Sequence, residues 1–233
     1  MRSSVIPFGR APAGSNVTTQ LILTRRSVRD MYEDRVIPAE FIEEIVRCGL
    51  AAPSSKNARP WRLHIVEDRS LLRELANDAA TAEGADTYVP HDPETGLVRT
   101  DWPSSVAESA AVLASVPAAI FIENLGAFSK GRSTLASVPN ENLRGSLVAY
   151  TFEVLGIGAA VTNMWIAANA LGVQAAFMGD ICVAEKTIAS KLGLKRDLVG
   201  VLTLGYSRAP VSPDRVHYDI SDETRVVWHG RAK

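Results

Sequence analysis

A chain of 233 residues, 46% hydrophobic and 22% charged, is apolar enough to bury a full core and falls in the ordinary globular range. Its formal net charge of −1 gives no long-range field toward nucleic acid or an anionic membrane, and neither is expected as a partner. Two cysteines (Cys48, Cys182) and four scattered histidines match no metal-ligand or redox spacing, which sets metal chemistry aside and fits a reducing, cytoplasmic compartment.

Residues 1–15 carry Arg2 and Arg10 but no apolar core of signal-peptide length, and read as an extended arm ahead of one domain over 16–233. A helix is expected over 16–24, with Val17, Leu21 and Ile22 on one side. It runs into Arg25-Arg26-Ser27-Val28-Arg29, three guanidinium groups and a hydroxyl within five residues. Guanidinium forks bind phosphate oxygens bidentately and keep their charge; the competing reading of such a run is a solvated basic face.

Pro38 opens a second helix, with Phe41, Ile42, Ile45 and Val46 at helical spacing, and Ala52-Pro53 ends it. There follows Ala52-Pro53-Ser54-Ser55-Lys56-Asn57-Ala58-Arg59-Pro60-Trp61. Short polar side chains on a Pro-stiffened loop suit the hydrogen-bonding rim of a flat heterocycle. Together the two blocks suggest a bound phosphorylated cofactor. Trp61 itself reads as a core residue.

A short strand is expected over 63–66, then a helix over 71–82 capped by Ser70. Residues 83–103 dissolve into Gly, Asp, Pro and Thr, a loop long enough to be functional or mobile. Tyr88, His91 and Trp102 either cover a substrate there or belong to a plain surface loop. A helix over 104–114 and a strand over 118–123 follow, then a second polar loop over 124–139.

The long helix expected over 142–171 ends at Gly172. Its apolar stretch holds one charge, Glu153, and is long enough to span a bilayer. Glu153, Thr162, Asn163 and Asn169, without basic flanks or an aromatic belt, argue against a span. Gly156, Gly158, Ala159 and Ala160 suit close helix contact, so a buried helix at a subunit interface is expected. An extended run over 173–178, a Gly179-Asp180 turn, a helix over 184–192 and an apolar strand over 198–204 complete the series. The pattern is α+β, one domain with two excursion loops.

From about Val17 to about Arg215 the chain resembles the nitroreductase family of FMN-dependent flavoproteins. The resemblance rests on the Arg25–Arg29 block, the Pro53–Asn57 loop with Pro60-Trp61, and their spacing. Asn163, Ala170-Leu171-Gly172, Leu192-Gly193-Leu194, Leu204-Gly205-Tyr206 and the later Pro213 and Arg215 add to it.

The resemblance implies a nitroreductase-like fold, a central, mostly antiparallel sheet flanked by helices with a long buried interface helix, and a homodimer with FMN at each subunit interface. Arg25, Ser27 and Arg29 match positions that hold the phosphate, ribityl chain or pyrimidine edge, with Arg26 between them. Pro53, Ser54, Ser55 and Asn57 match a loop that reaches the flavin from the other subunit. Met178 and Gly179 match the turn facing flavin N5 and O4. Arg215 matches a late basic residue closing on the phosphate, with Arg208 the lesser candidate.

The implied activity carries a hydride from NADH or NADPH to FMN and then, by a ping-pong mechanism, to a nitroaromatic, quinone or enone. The flavin carries the chemistry, so no catalytic side chain is required. Relatives widen the options. A flavin-destroying branch carries Asp where this chain has Ser27. A deiodinase branch shares the Arg-Arg-Ser-Val-Arg opening but grips its substrate with a Glu, Tyr and Lys whose spacing Glu83, Tyr88 and Lys130 do not match. A partner-dependent peptide dehydrogenase and a non-catalytic flavin-binding protein complete the alternatives.

Overall fold

Two runs of this chain, Ala118–Asn124 (β2) and Asp197–Gly205 (β4), are almost wholly buried. They lie side by side at the centre of one antiparallel sheet and are covered on both faces, so they lack the polar alternation of a half-exposed strand. Trp61–Val66 (β1) and Gln174–Met178 (β3) form the edges, giving the order β1-β2-β4-β3. The register runs from Trp61↔Asn124 to Val66↔Ala119 on one side and from Gln174↔Gly205 to Met178↔Val201 on the other. The computed structural model describes residues 16–92, 94–99, 101, 103–209, 225 and 227–229. The expected arm over 1–15, Trp102, Pro213 and Arg215 lie outside them.

Among the described residues the helices are Val17–Thr24 (α1), Ala39–Leu50 (α2), Arg69–Ala80 (α3), Val106–Ser115 (α4), Arg132–Leu135 (α5), Asn140–Ala170 (α6) and Glu185–Leu192 (α7), and all but α5 follow the expected order. One core packs α3, α4 and α7 on Phe121, Leu198 and Val201 through Leu72, Leu75, Leu113 and Ile188. The other packs α2 and α6 on Ile120, Ile122 and Leu202 through Ile42, Ile45, Ile157 and Met164. Trp61 is 5% exposed within this second core, as expected. A Cβ added at Gly49 would stand 2.6 Å from Met164 Cγ, so glycine sets the α2–α6 approach.

Some boundaries differ from the sequence reading. Asp68, not Ser70, caps α3: its Oδ1 accepts the Ser70 and Leu71 amides at 2.8 and 3.3 Å. The expected loop over 124–139 contains α5, and that over 83–103 contains a 3-10 turn, Ala85–Thr87. β1 begins at Trp61 and α6 at Asn140.

Helix α6 is long and apolar enough, by length and composition, to cross a membrane. Its middle carries Glu153, fully buried and hydrogen-bonded to Asn124, Phe128 and Ser129. Within one chain the helix buries only one face. Leu147, Val148, Phe152 and Leu155 stay 46–63% exposed on it. Nothing in α1 is fully buried either.

Gly205 faces the ring of Tyr32, one of the largest fully buried side chains. A Cβ there would collide with that ring and stand 2.9 Å from Pro117 Cδ. Gly205→Ala is therefore expected to cost about 1–3 kcal/mol, by overpacking against atoms that have no room to withdraw. Chemical denaturation checks this; an unchanged midpoint would mean that Tyr32 repacks freely.

Candidate functional site

The basic block is a short extended segment pinned along the β3 edge. α1 stops at Thr24, and Arg25 adopts non-helical φ −55°, ψ 136°. Val28 N–H then donates to Ala175 O at 3.1 Å. Tyr32 O–H donates to Val28 O at 2.7 Å from within the core, and Tyr32 bridges to Ser207 after β4. Burial pushes the Tyr32 hydroxyl up to about 12, so it remains a neutral donor. This frame leaves Ser27 and Arg29 exposed on either side of buried Val28.

The two leading arginines have different surroundings. Arg26 turns back on α1, its Nη1 donating to Arg25 O at 3.0 Å and Leu23 O at 3.4 Å. Asn169 Nδ2 reaches Leu21 O at 3.4 Å from α6. Arg25 instead lays its guanidinium over the Trp165 ring, 4.3 Å from the centroid. Among the described residues, Arg25 Nη1 and Trp165 Nε1 are both buried without a hydrogen-bond partner. A cleft lined by Thr24, Arg26, Val28, Trp165, Asn169 and Gln174 opens beside them.

The second expected segment sits elsewhere on α6. A Cβ at Gly156 would stand 3.1 Å from Ser54 Cβ, so the Pro53–Pro60 loop rests against that glycine. Gly156 and Trp165 are nine residues apart, which is about 13 Å along a helix. Within one chain, then, the loop and the arginine block occupy separate stations on one helix.

The loop is strained: Lys56, Asn57 and Arg59 have φ of 49°, 53° and 46°. Positive φ at non-glycine residues is uncommon and clusters at functional loops. Its own bonds hold it, with Arg59 N–H donating to Ser54 Oγ at 2.9 Å and Arg59 Nε to Asn57 Oδ1 at 3.2 Å. Ser54 therefore keeps its O–H, and Asn57 its amide N–H groups, as the donors suited to a ligand.

The third expected element, Met178-Gly179, closes β3. Gly179 precedes a 3-10 turn, Asp180–Ala184, whose first amides have no partner inside the turn. Its φ of −92° is open to any residue, and the nearest atom to an added Cβ is Val199 O at 3.9 Å. Among the described residues no neighbour demands glycine. The turn is anchored by Asp180, whose Oδ2 accepts Ser105 Oγ at 2.7 Å and Ser109 Oγ at 2.8 Å from α4.

Sequence reasoning missed three features. Trp165 lay unmarked in an apolar helix, and Asp180 was read only as a turn residue. Arg132 was not singled out, yet it pairs with Glu185 at 2.6 Å while its amide donates to Asp197 at 2.7 Å. Asn163 satisfies a backbone group, donating to Cys48 O at 3.2 Å. Cys182 sits where the thiolate is disfavoured. Burial, only partly opposed by Arg132, pushes its thiol up to about 12. Tyr88 is 40% exposed, and His91 bridges Val98.

A family model described as the nitroreductase family matches residues 22–206. An Archaeoglobus fulgidus protein, provisionally named NADH dehydrogenase/NAD(P)H nitroreductase, is 26% identical over 211 residues, covering 85% of this chain and 95% of that protein. A Desulfitobacterium hafniense nitroreductase crystallised with bound FMN shares the fold at TM-score 0.61 and 16% identity, over 92% of this chain and 99% of that one. A Vibrio harveyi NADPH:FMN oxidoreductase complexed with NAD+ does so at TM-score 0.61 and 16% identity, over 94% and 79%.

Proposed function

The chain belongs to the nitroreductase family, and we propose from that premise that it is a homodimeric, FMN-dependent NAD(P)H oxidoreductase. One observation carries the reading furthest: the Arg25–Arg29 segment is pinned to β3 with a guanidinium N–H buried and, among the described residues, unpartnered. A buried donor without an acceptor is costly, so such a site is built for an acceptor supplied from outside the chain. The residues present fit FMN. Arg25, Ser27 and Arg29, with Arg26 beside them, would hold its phosphate and ribityl end. Arg215 is the proposed late contributor.

When bound, FMN supplies a ring that takes up a hydride from NADH or NADPH and yields it to an electron-poor acceptor such as a nitroarene, quinone or enone. The chain binds and orients. Backbone N–H groups at Met178, Gly179 and the start of the 3-10 turn offer fixed dipoles toward a ring edge that becomes electron-rich. Donors already in place need no reorganisation when charge develops. Asp180, held by Ser105 and Ser109, keeps that turn at a set height above β3.

The 13 Å offset along α6 between loop and arginine block supports a second protomer's Pro53, Ser54, Ser55 and Asn57 completing each site. Exposed Leu147, Val148, Phe152 and Leu155 on α6 supply an apolar face for that partner. We read α6 accordingly as an interface helix of a cytoplasmic enzyme. Anaerobic titration with NADH and with NADPH tests the activity. Loss of the yellow colour with at least one donor, and its return on adding a quinone, is expected. Yellow protein that neither donor bleaches would favour a carrier or sensor without turnover.

A further inference from the structure

Arg25 and Trp165 share a feature that the family pattern did not supply. Each presents a buried N–H without a partner, and the two groups are stacked with the guanidinium carbon 4.3 Å from the ring centroid. Indole N–H and guanidinium are donors only, so whatever satisfies both must be an acceptor. The stack restricts the long Arg25 side chain to one place over a rigid ring, which reduces what must be ordered on binding.

The carbonyl end of α1 would ordinarily repel an anion here. That end is covered: Asn169 serves Leu21 O, and Arg26 serves Leu23 O and Arg25 O. Arg25 caps α1 through its backbone N–H, which donates to Leu21 O at 3.1 Å, and its guanidinium points instead to Trp165. Asn169, Trp165 and Arg26 all line the cleft described above.

We propose that Arg25 and Trp165 form a composite oxyanion clamp, in which the Trp165 indole N–H is a binding donor for the phosphate monoester of the cofactor. The inference rests on the FMN reading above and adds to it a residue on α6. Arg25 carries the charge. Trp165 carries the stacking surface and the second donor, and the pair discriminates a phosphorylated flavin from one lacking phosphate.

Equilibrium binding of FMN and of riboflavin to flavin-stripped protein tests the clamp, read from flavin fluorescence for wild type, Trp165→Phe and Arg25→Lys. Phe keeps an aromatic platform but has no N–H; Lys keeps the charge but loses the planar fork. Each variant is expected to weaken FMN about tenfold, the loss of one charge-assisted hydrogen bond, while riboflavin binding stays as in wild type. FMN affinity unchanged in Trp165→Phe, or equal losses for FMN and riboflavin, would overturn the clamp and leave the flavin reading standing. Wild-type protein that binds neither flavin would overturn that reading, and the clamp with it. Should Trp165→Phe fail to fold, the 15N-indole resonance of Trp165 in the wild-type protein decides: it should move on adding FMN and not on adding riboflavin, and an indole resonance unmoved by FMN would overturn the clamp.

Discussion

Arg25→Ala is expected to release FMN at moderate salt from a protein that otherwise stays folded and dimeric. The substitution removes the half-buried guanidinium, with its buried Nη1, and exposes one face of Trp165. Charge-assisted hydrogen bonds are worth roughly 1.5–3 kcal/mol each, so affinity should fall about ten- to a hundredfold. The loss should steepen with ionic strength, because the remaining contacts of Ser27 and Arg29 lie in exposed positions where salt screens them. Arg29→Ala should act in the same direction but less strongly. Ultrafiltration followed by flavin absorbance of the filtrate measures both. Cofactor retained by both variants as tightly as by wild type would contradict the phosphate assignment.

Glu153→Ala is expected to be the most destabilising single change in α6, at roughly 3–5 kcal/mol. Its carboxylate is fully buried and accepts the Phe128 and Ser129 amides, each at 2.6 Å, the Ser129 hydroxyl at 2.7 Å and Asn124 Nδ2 at 2.9 Å. Alanine would leave those donors buried with no acceptor. Burial alone would raise this carboxyl's pKa, yet the Ser129 amide, Asn124, the Phe128 amide and the Ser129 hydroxyl together hold it below the ordinary 4.5. Glu123, also fully buried, follows the same pattern: burial raises it, while His64 and the Lys195 and Arg196 amides bring it below 4.5.

A carboxyl lowered in the folded state stabilises fully above its unfolded value and loses that contribution as pH falls through its folded value. The melting temperature should therefore hold from neutrality down to about pH 5 and drop below it. Glu153→Gln should start lower and fall less steeply over that acid range. Wild-type and Gln curves of identical slope would show that the carboxylate contributes nothing ionic.

The sheet and its helices were legible because their signals are local. β2 and β4 read as apolar runs, and α2 as residues of one face at helical spacing. Legibility failed where a distant partner decides. The four-residue α5 has no periodicity to show, and its first amide is held by Asp197, 65 residues on. Ser70 and Asp68 were equally plausible caps by type; only the reach of Asp68 Oδ1 to two amides separates them. The arginine block was visible as a cluster, but its division of labour was not. Arg26 serves carbonyls beside it, whereas Arg25 lies over a tryptophan 140 positions later, a contact no spacing rule connects.

The central claim is that flavin sits in a seam between two identical protomers, anchored by the block that follows α1. Size-exclusion chromatography with light scattering and absorbance at 280 and 450 nm tests it most directly on protein supplied with FMN. The account predicts a particle of twice the 25.1 kDa chain mass that carries one FMN per chain. A monomer that holds FMN stoichiometrically would contradict the shared seam. A colourless dimer would contradict the cofactor.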